Sequence, residues 1–414
     1  MGAARAMPST RRVLKKLLHA VLPPPVFRAV QRGWRLALTV FWWPTYRLTL
    51  GVLRAANEVF VRTRRKHVYE NSVLHVSYPI HTAHATVQIL RRRGLRADYL
   101  AVGHNQHWSD VDFRAPASPW PHVQAWREFR MFWNVVAKYE VVHCHFMHTM
   151  SRTGWELPYL KRLGRTIVAH YRGCEIRDRD RNMRLHPDVN ICQECDYNGT
   201  ACLGEFALRA KRLGPAHADL AIVTTPDMKD FVPNAVHLRF FSPDDQTPPV
   251  IAATRSRNGR PFRIVHATNH PGIEGTEAIR RVIDSLRAKG HAIEFVFLRD
   301  ASHKQVLDAL ADADLAIGKM KMGYYANFQI ESMSRGVPTV TFVRPEFMTP
   351  DLEQSGFIFS TLADLEQTIE HYLTHPSALE EKRRIARQSI LALHDNDRLA
   401  TELIQLYRRA RTTR

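Results

Sequence analysis

Glu331 stands one helical turn inside the segment Gly323-Tyr-Tyr-Ala-Asn-Phe-Gln-Ile-Glu-Ser-Met-Ser-Arg-Gly-Val-Pro-Thr-Val340. The segment follows a strand-like run, opens a helix near Ala326 and stops at Gly336, with Pro338 just beyond. Backbone N–H groups left free at such a helix start, together with the positive end of its dipole, suit a phosphate. Asn327 and Glu331, four residues apart, share one face. A carboxylate there can accept from both hydroxyls of a ribose, while Tyr325, Ala326 and Asn327 line the approach to a diphosphate. Lys319 and Lys321, at the preceding strand end, supply charge to neutralise it. The bland competitor is a solvated helix face, with Ser334 and Arg335 beside the glutamate.

A second cluster is Cys192-Gln-Glu-Cys195, with Cys202 seven residues on. Cys-x-x-Cys is half of a zinc knuckle, Cys202 is a third ligand by proximity, and Cys174 or His186 is the fourth. Structural zinc, free buried thiols and a redox pair are the three readings. Zinc at this place stiffens a loop and takes no part in catalysis.

These groups need elements to carry them. Past residue 66, short β-rich apolar runs alternate with helical segments, the grammar of parallel sheets with crossover helices. Strands are expected at Val73–Ser77, Glu140–His145, Thr166–His170, Leu220–Thr224 and Ala235–Arg239, with a helix over 83–93. Prolines, glycine and charges without periodicity between Ser242 and Pro261 mark a linker. The pattern then restarts, with strands at Phe262–His266, Ile293–Leu298, Leu315–Ile317 and Thr339–Val343. Helices are expected over 275–289, 306–311 and 327–335, and a basic helical stretch over 376–411. The fold class is therefore α/β: two Rossmann-like, doubly wound domains facing a central cleft, with ligands at the carboxyl ends of the strands. The divisions are an arm over 1–66, a first domain over 67–245, a linker over 246–261, a second domain over 262–385 and a C-terminal helix over 386–414.

The segment around Glu331 resembles the sugar-nucleotide helix of the family 4 glycosyltransferases of GT-B fold, which reads glutamate, seven residues, glutamate and ends in a Gly-x-Pro turn. Glu331 matches the second glutamate, and Gly323 falls where the first would stand. His266-Ala-Thr-Asn-His-Pro-Gly-Ile-Glu-Gly-Thr276 is similar to the family's first strand and loop of the second domain. Glu274 takes the place of a phosphate-binding lysine there. The resemblance thus implies Thr268, Asn269 and His270 as hydrogen-bond donors to the diphosphate, with Arg299, Lys319 and Lys321 as its cations. In the first domain, Val73-Leu-His-Val-Ser-Tyr-Pro-Ile-His-Thr-Ala-His84 resembles the family's first strand and loop, with Thr82-Ala83 replacing a Gly-Gly pair. Ser77, His81 and His84 are then candidates for the acceptor, as are His145, Arg172 and Glu175 at later strand ends. His170 aligns with the family's histidine near the reacting carbon and is the expected catalytic histidine, whereas His143 reads as core. The resemblance spans roughly residues 70–390. It implies transfer of a hexose from an NDP-sugar with retention at the anomeric carbon. Such chemistry needs leaving-group stabilisation and exclusion of water, and no catalytic cofactor.

Net charge is +19, and it is uneven: residues 1–66 hold 14 Lys/Arg against Glu58 alone, and the rest hold 45 against 39 acids. The stretch Trp34 to Tyr46 mixes three tryptophans with aliphatics among arginines, but is too short to span a bilayer. It suits an anionic membrane surface, where each nearby basic residue adds about 1 kcal/mol. The expected partners are a nucleotide-sugar donor, a glycan or lipid-linked acceptor and that membrane surface. The expected place is the inner face of the cell membrane, in a reducing setting consistent with five cysteines and no secretory signal. The body offers no nucleic-acid motif. A sugar-nucleotide epimerase and a non-catalytic sugar-binding relative are the competing functions.

Overall fold

The computed structural model describes residues 45–103, 110–241 and 259–412. The tryptophan-rich stretch 34–46, except its last two residues, and the linker 246–261, except its last three, lie outside the described residues. The chain divides into two compact units, one of residues 1–66 with 116–131 and one holding everything else.

The larger unit contains two wholly parallel sheets. The first has strands β1 (Tyr69–Ser77), β2 (Arg96–Ala101), β3 (Phe113–Arg114), β4 (Tyr139–His145), β5 (Thr166–Tyr171), β6 (Leu220–Val223) and β7 (Val236–His237), in the order β3-β2-β1-β4-β5-β6-β7. The second has β8 (Phe262–Ala267), β9 (Ile293–Leu298), β10 (Leu315–Ile317), β11 (Thr339–Thr341) and β12 (Phe357–Phe359), in the order β12-β11-β10-β8-β9. Strand order reverses between β1 and β4 in one sheet and between β8 and β10 in the other. A crevice opens at each reversal, beyond the carboxyl ends of the strands. Helices cover both faces, so central strands are buried along almost their whole length, as β5 is at all six residues.

Local sequence explains the helices. Ile279, Ile283 and Leu286 bury one stripe of helix Thr276–Ala288, leaving Glu277, Arg281 and Asp284 facing out. Ser302 opens helix His303–Ala311 with a capping box, its hydroxyl taking the Gln305 N–H while Gln305 takes the Ser302 N–H.

The basic C-terminal stretch is two helices, Pro376–Leu393 and Asn396–Thr412, broken at His394. His394 is itself buried, bonding the Phe240 carbonyl at 2.7 Å and the Tyr325 hydroxyl at 3.1 Å. The last helix returns to the first sheet, where Leu399, Ala400, Leu403 and Tyr407 join Val73, Val141, Val168 and Ile222 in one core. Arg411 fixes its end through two hydrogen bonds to Glu140, at 2.8 and 2.9 Å.

In the smaller unit a helix runs over 45–63. Phe60 packs on Phe129, and Phe129 stacks on Trp126. Among the described residues, no helix is long and apolar enough to cross a membrane.

The return of the last helix sets a first expectation. Leu403 is fully buried, so Leu403→Ala should remove about 3 kcal/mol of stability through lost burial and the cavity left behind. Urea unfolding should report this as a lower midpoint at unchanged slope. A loss below about 1 kcal/mol, small against the range for buried leucines, would contradict the packing described.

Candidate functional site

On one face of the first sheet, alternation places Val73 and His75 on β1, Val141, His143 and His145 on β4, and Val168 and His170 on β5. Register sets His75 opposite His143 and His145 opposite His170. The valines face the last helix, and the four histidines sit above them at the carboxyl end. All four are buried. Tyr407 Oη lies 2.6 Å from His143 Nδ1, and His143 Nε2 lies 2.9 Å from His170 Nδ1. His75 Nδ1 lies 2.9 Å from His145 Nε2. Nε2 of His75 and Nε2 of His170 are buried without a hydrogen-bond partner.

Burial, reinforced by the Arg172 guanidinium, lowers the His75 pKa to about 3 and holds those of His143, His145 and His170 well below the ordinary value. The cluster is therefore neutral. Arg172, itself lowered to about 10 by burial, lies 3.1 Å from His145 Nδ1 and donates to Thr82 at 2.9 Å. Glu175 is buried beside it, takes the Arg172 N–H, and has its pKa raised mainly by burial. His75, His143 and His145 place ring nitrogens within 4.8 Å of one another. A cation among them would sit against Arg172, and the rings already serve one another, so the set reads as a hydrogen-bonded cluster. His143 is a satisfied core histidine, fully buried with both ring nitrogens engaged, and through Nε2 it joins His170 in this network. His75 was not singled out in the sequence, although its two-residue spacing from Val73 was visible.

Of the remaining candidates on this side, Ser77 ends β1 on the histidine-bearing face. His81 is exposed at the start of helix His81–Arg92. His84 is engaged by Gln88 and Asp110, each at 3.3 Å.

In the second sheet, buried His266 ties the β8–β10 crevice together, with Nδ1 2.7 Å from the Ile317 carbonyl and Nε2 2.8 Å from Thr276 Oγ1. The loops after β8 and β10 carry most donor candidates. Thr268 Oγ1 accepts the His270 N–H, and Asn269 Oδ1 accepts the Asp300 N–H. Arg299 lies 3.7 Å from Asp300. Glu331 is not turned to bulk water: its side chain is 17% exposed and lies 3.3 Å from His303 Nε2. Asn327 is exposed one turn earlier.

The opening of helix Asn327–Ser334 departs from expectation in two ways. Gln329 folds back to accept the Ala326 N–H at 3.3 Å, engaging one of the amides expected to be free. Tyr325 points into the core, stacked on Tyr324 and bonded to His394, so its side chain is withdrawn from any ligand. Gly323 has φ +82°, and a Cβ there would fall 2.7 Å from Cγ of Arg344. The space beside Gly323 is filled by Arg344, which pairs with Asp230 at 2.9 Å and His186 at 2.6 Å.

The cationic candidates are already paired. Lys319 bonds Glu274, and Lys321 bonds Glu194 and the Gly272 carbonyl. The loop that holds the cysteines supplies this second carboxylate. It also sets Asp196 against the Gly272 and Ile273 amides, and Tyr197 Oη 2.6 Å from His270 Nε2. Contact is close enough that a Cβ on Gly272 would lie 1.8 Å from the Glu194 carbonyl. Neither spacing nor composition reveals that this loop between β5 and β6 reaches the second sheet's loop.

No protein-family model and no curated protein matches the sequence. Solved structures do. The chain is similar to sucrose-phosphate synthase from Thermosynechococcus elongatus, at 15% identity and TM-score 0.53, over 83% of this chain and 100% of that one. It is similar to the catalytic domain of starch synthase IV from Arabidopsis thaliana, bound to ADP and acarbose, at 11% identity and TM-score 0.55, over 83% and 100%. It is also similar to HepE from Anabaena in complex with UDP-glucose, at 13% identity and TM-score 0.52, over 81% and 99%. With the two sheets described above, these likenesses establish the GT-B fold.

The neutral histidines make stability depend on acid. Each has a folded pKa below the unfolded value, so the unfolded chain binds more protons, and stability is complete above about pH 6.5 and falls as pH drops toward about 3. A single histidine with His75's shift costs about 2 kcal/mol at pH 5. Thermal melts between pH 7.5 and 5 should show this slope, and His75→Phe should flatten it. An unchanged melting temperature down to pH 5 would contradict a neutral cluster.

Proposed function

We propose that this GT-B chain is a glycosyltransferase that moves a hexose from an NDP-sugar to a lipid-linked or cell-envelope glycan, with retention. The observation that carries the reading is the partly buried Glu331 carboxylate, one turn past the helix opening that follows β10, a strand beside the reversal of order in the second sheet. A ribose can be held there by its two hydroxyls while the diphosphate meets the loops after β8 and β10. Two of the structural neighbours carry ligands of this class, ADP in one and UDP-glucose in the other. Lys319 and Lys321 are the cations for the leaving diphosphate, and a donor competes for them with Glu274 and Glu194. His170 offers the sugar a neutral ring whose Nε2 is otherwise unserved. A neutral imidazole can accept from or donate to a sugar hydroxyl without placing charge beside the developing oxocarbenium ion.

The membrane part rests on the smaller unit. Helix 45–63 exposes Leu48, Val52 and Val59, with the arginines at 47, 54 and 62 interspersed, and Trp120 and Trp126 are also exposed. Apolar side chains beside basic ones suit the interface of an anionic leaflet.

A second reading, a sugar-binding relative without turnover, is favoured by Gly323 and by the carboxylates already on both lysines. It separates from the first by turnover.

A thermal-shift panel of UDP-, GDP- and ADP-sugars should find one donor that raises stability by about 2.7 kcal/mol at a hundredfold excess over its Kd. Glu331→Ala should weaken that donor about 30- to 150-fold, the cost of about 2–3 kcal/mol for hydrogen bonds to a charged group. His170→Ala should lower donor hydrolysis or transfer while leaving affinity nearly intact. Binding that survives Glu331→Ala would remove the proposed site, and binding without turnover would select the second reading. Sedimentation with vesicles should show binding to phosphatidylserine-containing but not neutral bilayers, weakened by salt and by Leu48→Asp with Val52→Asp. Equal binding to both would count against the membrane role.

A further inference from the structure

Four of the five cysteines line one small cavity: Cys174 from the loop after β5, Cys192 and Cys195 from the Cys-x-x-Cys turn, and Cys202 from the short helix Thr200–Leu203. Arg177 and Tyr197 share its wall, as does Ile273 from the loop after β8. None of these thiols is disulfide-bonded. The fifth, Cys144, is buried within β4.

Three features separate this set from thiols that only fill a core. They come from separate segments spread over 29 positions of sequence, yet meet at one point. Polar groups attend the sulfurs, with Asn182 Nδ2 3.3 Å from Cys192 Sγ and Arg177 Nη1 4.0 Å from Cys174 Sγ. N–H donors toward sulfur are contacts of the kind that orient metal-bound thiolates. Third, this stretch has little regular structure of its own: loop and turn with two short helices join β5 to the helix Glu205–His217. A segment of that kind needs a crosslink to hold one shape. His186, the other candidate fourth ligand, is withdrawn, with Nε2 2.9 Å from Asp230 and 2.6 Å from Arg344.

We infer that Cys174, Cys192, Cys195 and Cys202 bind one zinc ion as a four-thiolate structural site that fixes the loop carrying Glu194 and Asp196. Four sulfurs, the Cys-x-x-Cys spacing and a closed ligand set suit zinc at metal–sulfur distances of about 2.3 Å. Each ligating thiol gives its proton to solvent as the metal–sulfur bond forms. Ligand atoms mutually within 4.8 Å occur at His75, His143 and His145 and not among these thiols, so zinc draws the cavity wall inward. The contraction bears on the second sheet as well, because Glu194 and Asp196 flank Cys195 and contact Lys321 and the Gly272 amide.

The test reads metal, not transfer, and so stands apart from the proposed activity. The full chain, purified without chelator, is analysed for metals by mass spectrometry and titrated with a mercurial thiol reagent beside a zinc indicator. One zinc per chain, released as four thiols are modified, is the expected result. Cys192→Ser and Cys202→Ser should each lose most of the zinc, whereas Cys144→Ala and His186→Ala should keep it. Should the serine variants fail to fold, cobalt titration of the chelator-stripped wild-type chain decides, through the tetrahedral thiolate–cobalt spectrum. A zinc-free chain that gives no such spectrum overturns the site. So does a Cys192–Cys195 disulfide found by alkylation mapping, or an iron–sulfur chromophore. Zinc retained in Cys202→Ser but lost in His186→Ala overturns the ligand set.

Discussion

A parallel strand buried on both faces leaves polar side chains one place to gather, the carboxyl end, where the strand stops and a crevice begins. Everything chemical in this chain follows from that constraint. Val73, Val141 and Val168 face the last helix, and one step along the same strands the same face becomes His75, His143, His145 and His170. Beneath them Tyr407 bonds His143, so the final helix both completes the first core and anchors the histidines above it. In the second sheet, buried His266 does a related job, bridging β8 to β10 where the strand order reverses.

Charge is distributed on the donor side so that few groups stand free. Lys319 and Lys321 each have a carboxylate partner, Gln329 engages an amide of the helix opening, and Asp196 engages two more on the loop at Gly272. Lys321 and Glu274 are largely buried in these pairs, so separating them costs more than breaking an exposed pair. The loop between β5 and β6 is the unusual part: it carries carboxylates to a place where the fold's logic calls for anions of a ligand. Glu194 and Asp196 sit on the loop that the four cysteines frame.

Much of this was legible in the sequence, and the failures have physical causes. Short β-rich apolar runs announced β1, β4 and β5 to within a few residues, and Leu315–Ile317 and Ile293–Leu298 matched their strands outright. Short strands such as Phe113–Arg114 and Phe357–Phe359 hold too few residues to show a period. The stretch after Pro376 read as helical, but not that His394 breaks it or that its second half crosses to the other sheet, since helical periodicity carries no destination. The strand, helix and Gly-x-Pro turn around Glu331 were legible as elements. Tyr325 misled because an aromatic in a loop looks available, and only the packing on Tyr324 and Phe357 reveals it as core. Gly323, where the resemblance sets a glutamate, has a local reason, since φ +82° and the Arg344 side chain leave no room for a larger residue.

The most direct measurement of the central claim is hydrogen–deuterium exchange of the full chain with and without the best-binding NDP-sugar. If the donor lies where Glu331 and the β8 and β10 loops place it, amides over 268–275 and 318–331 should slow together on binding, and the arm should not respond. Slowing confined to other segments, or none at saturating donor, would contradict the account.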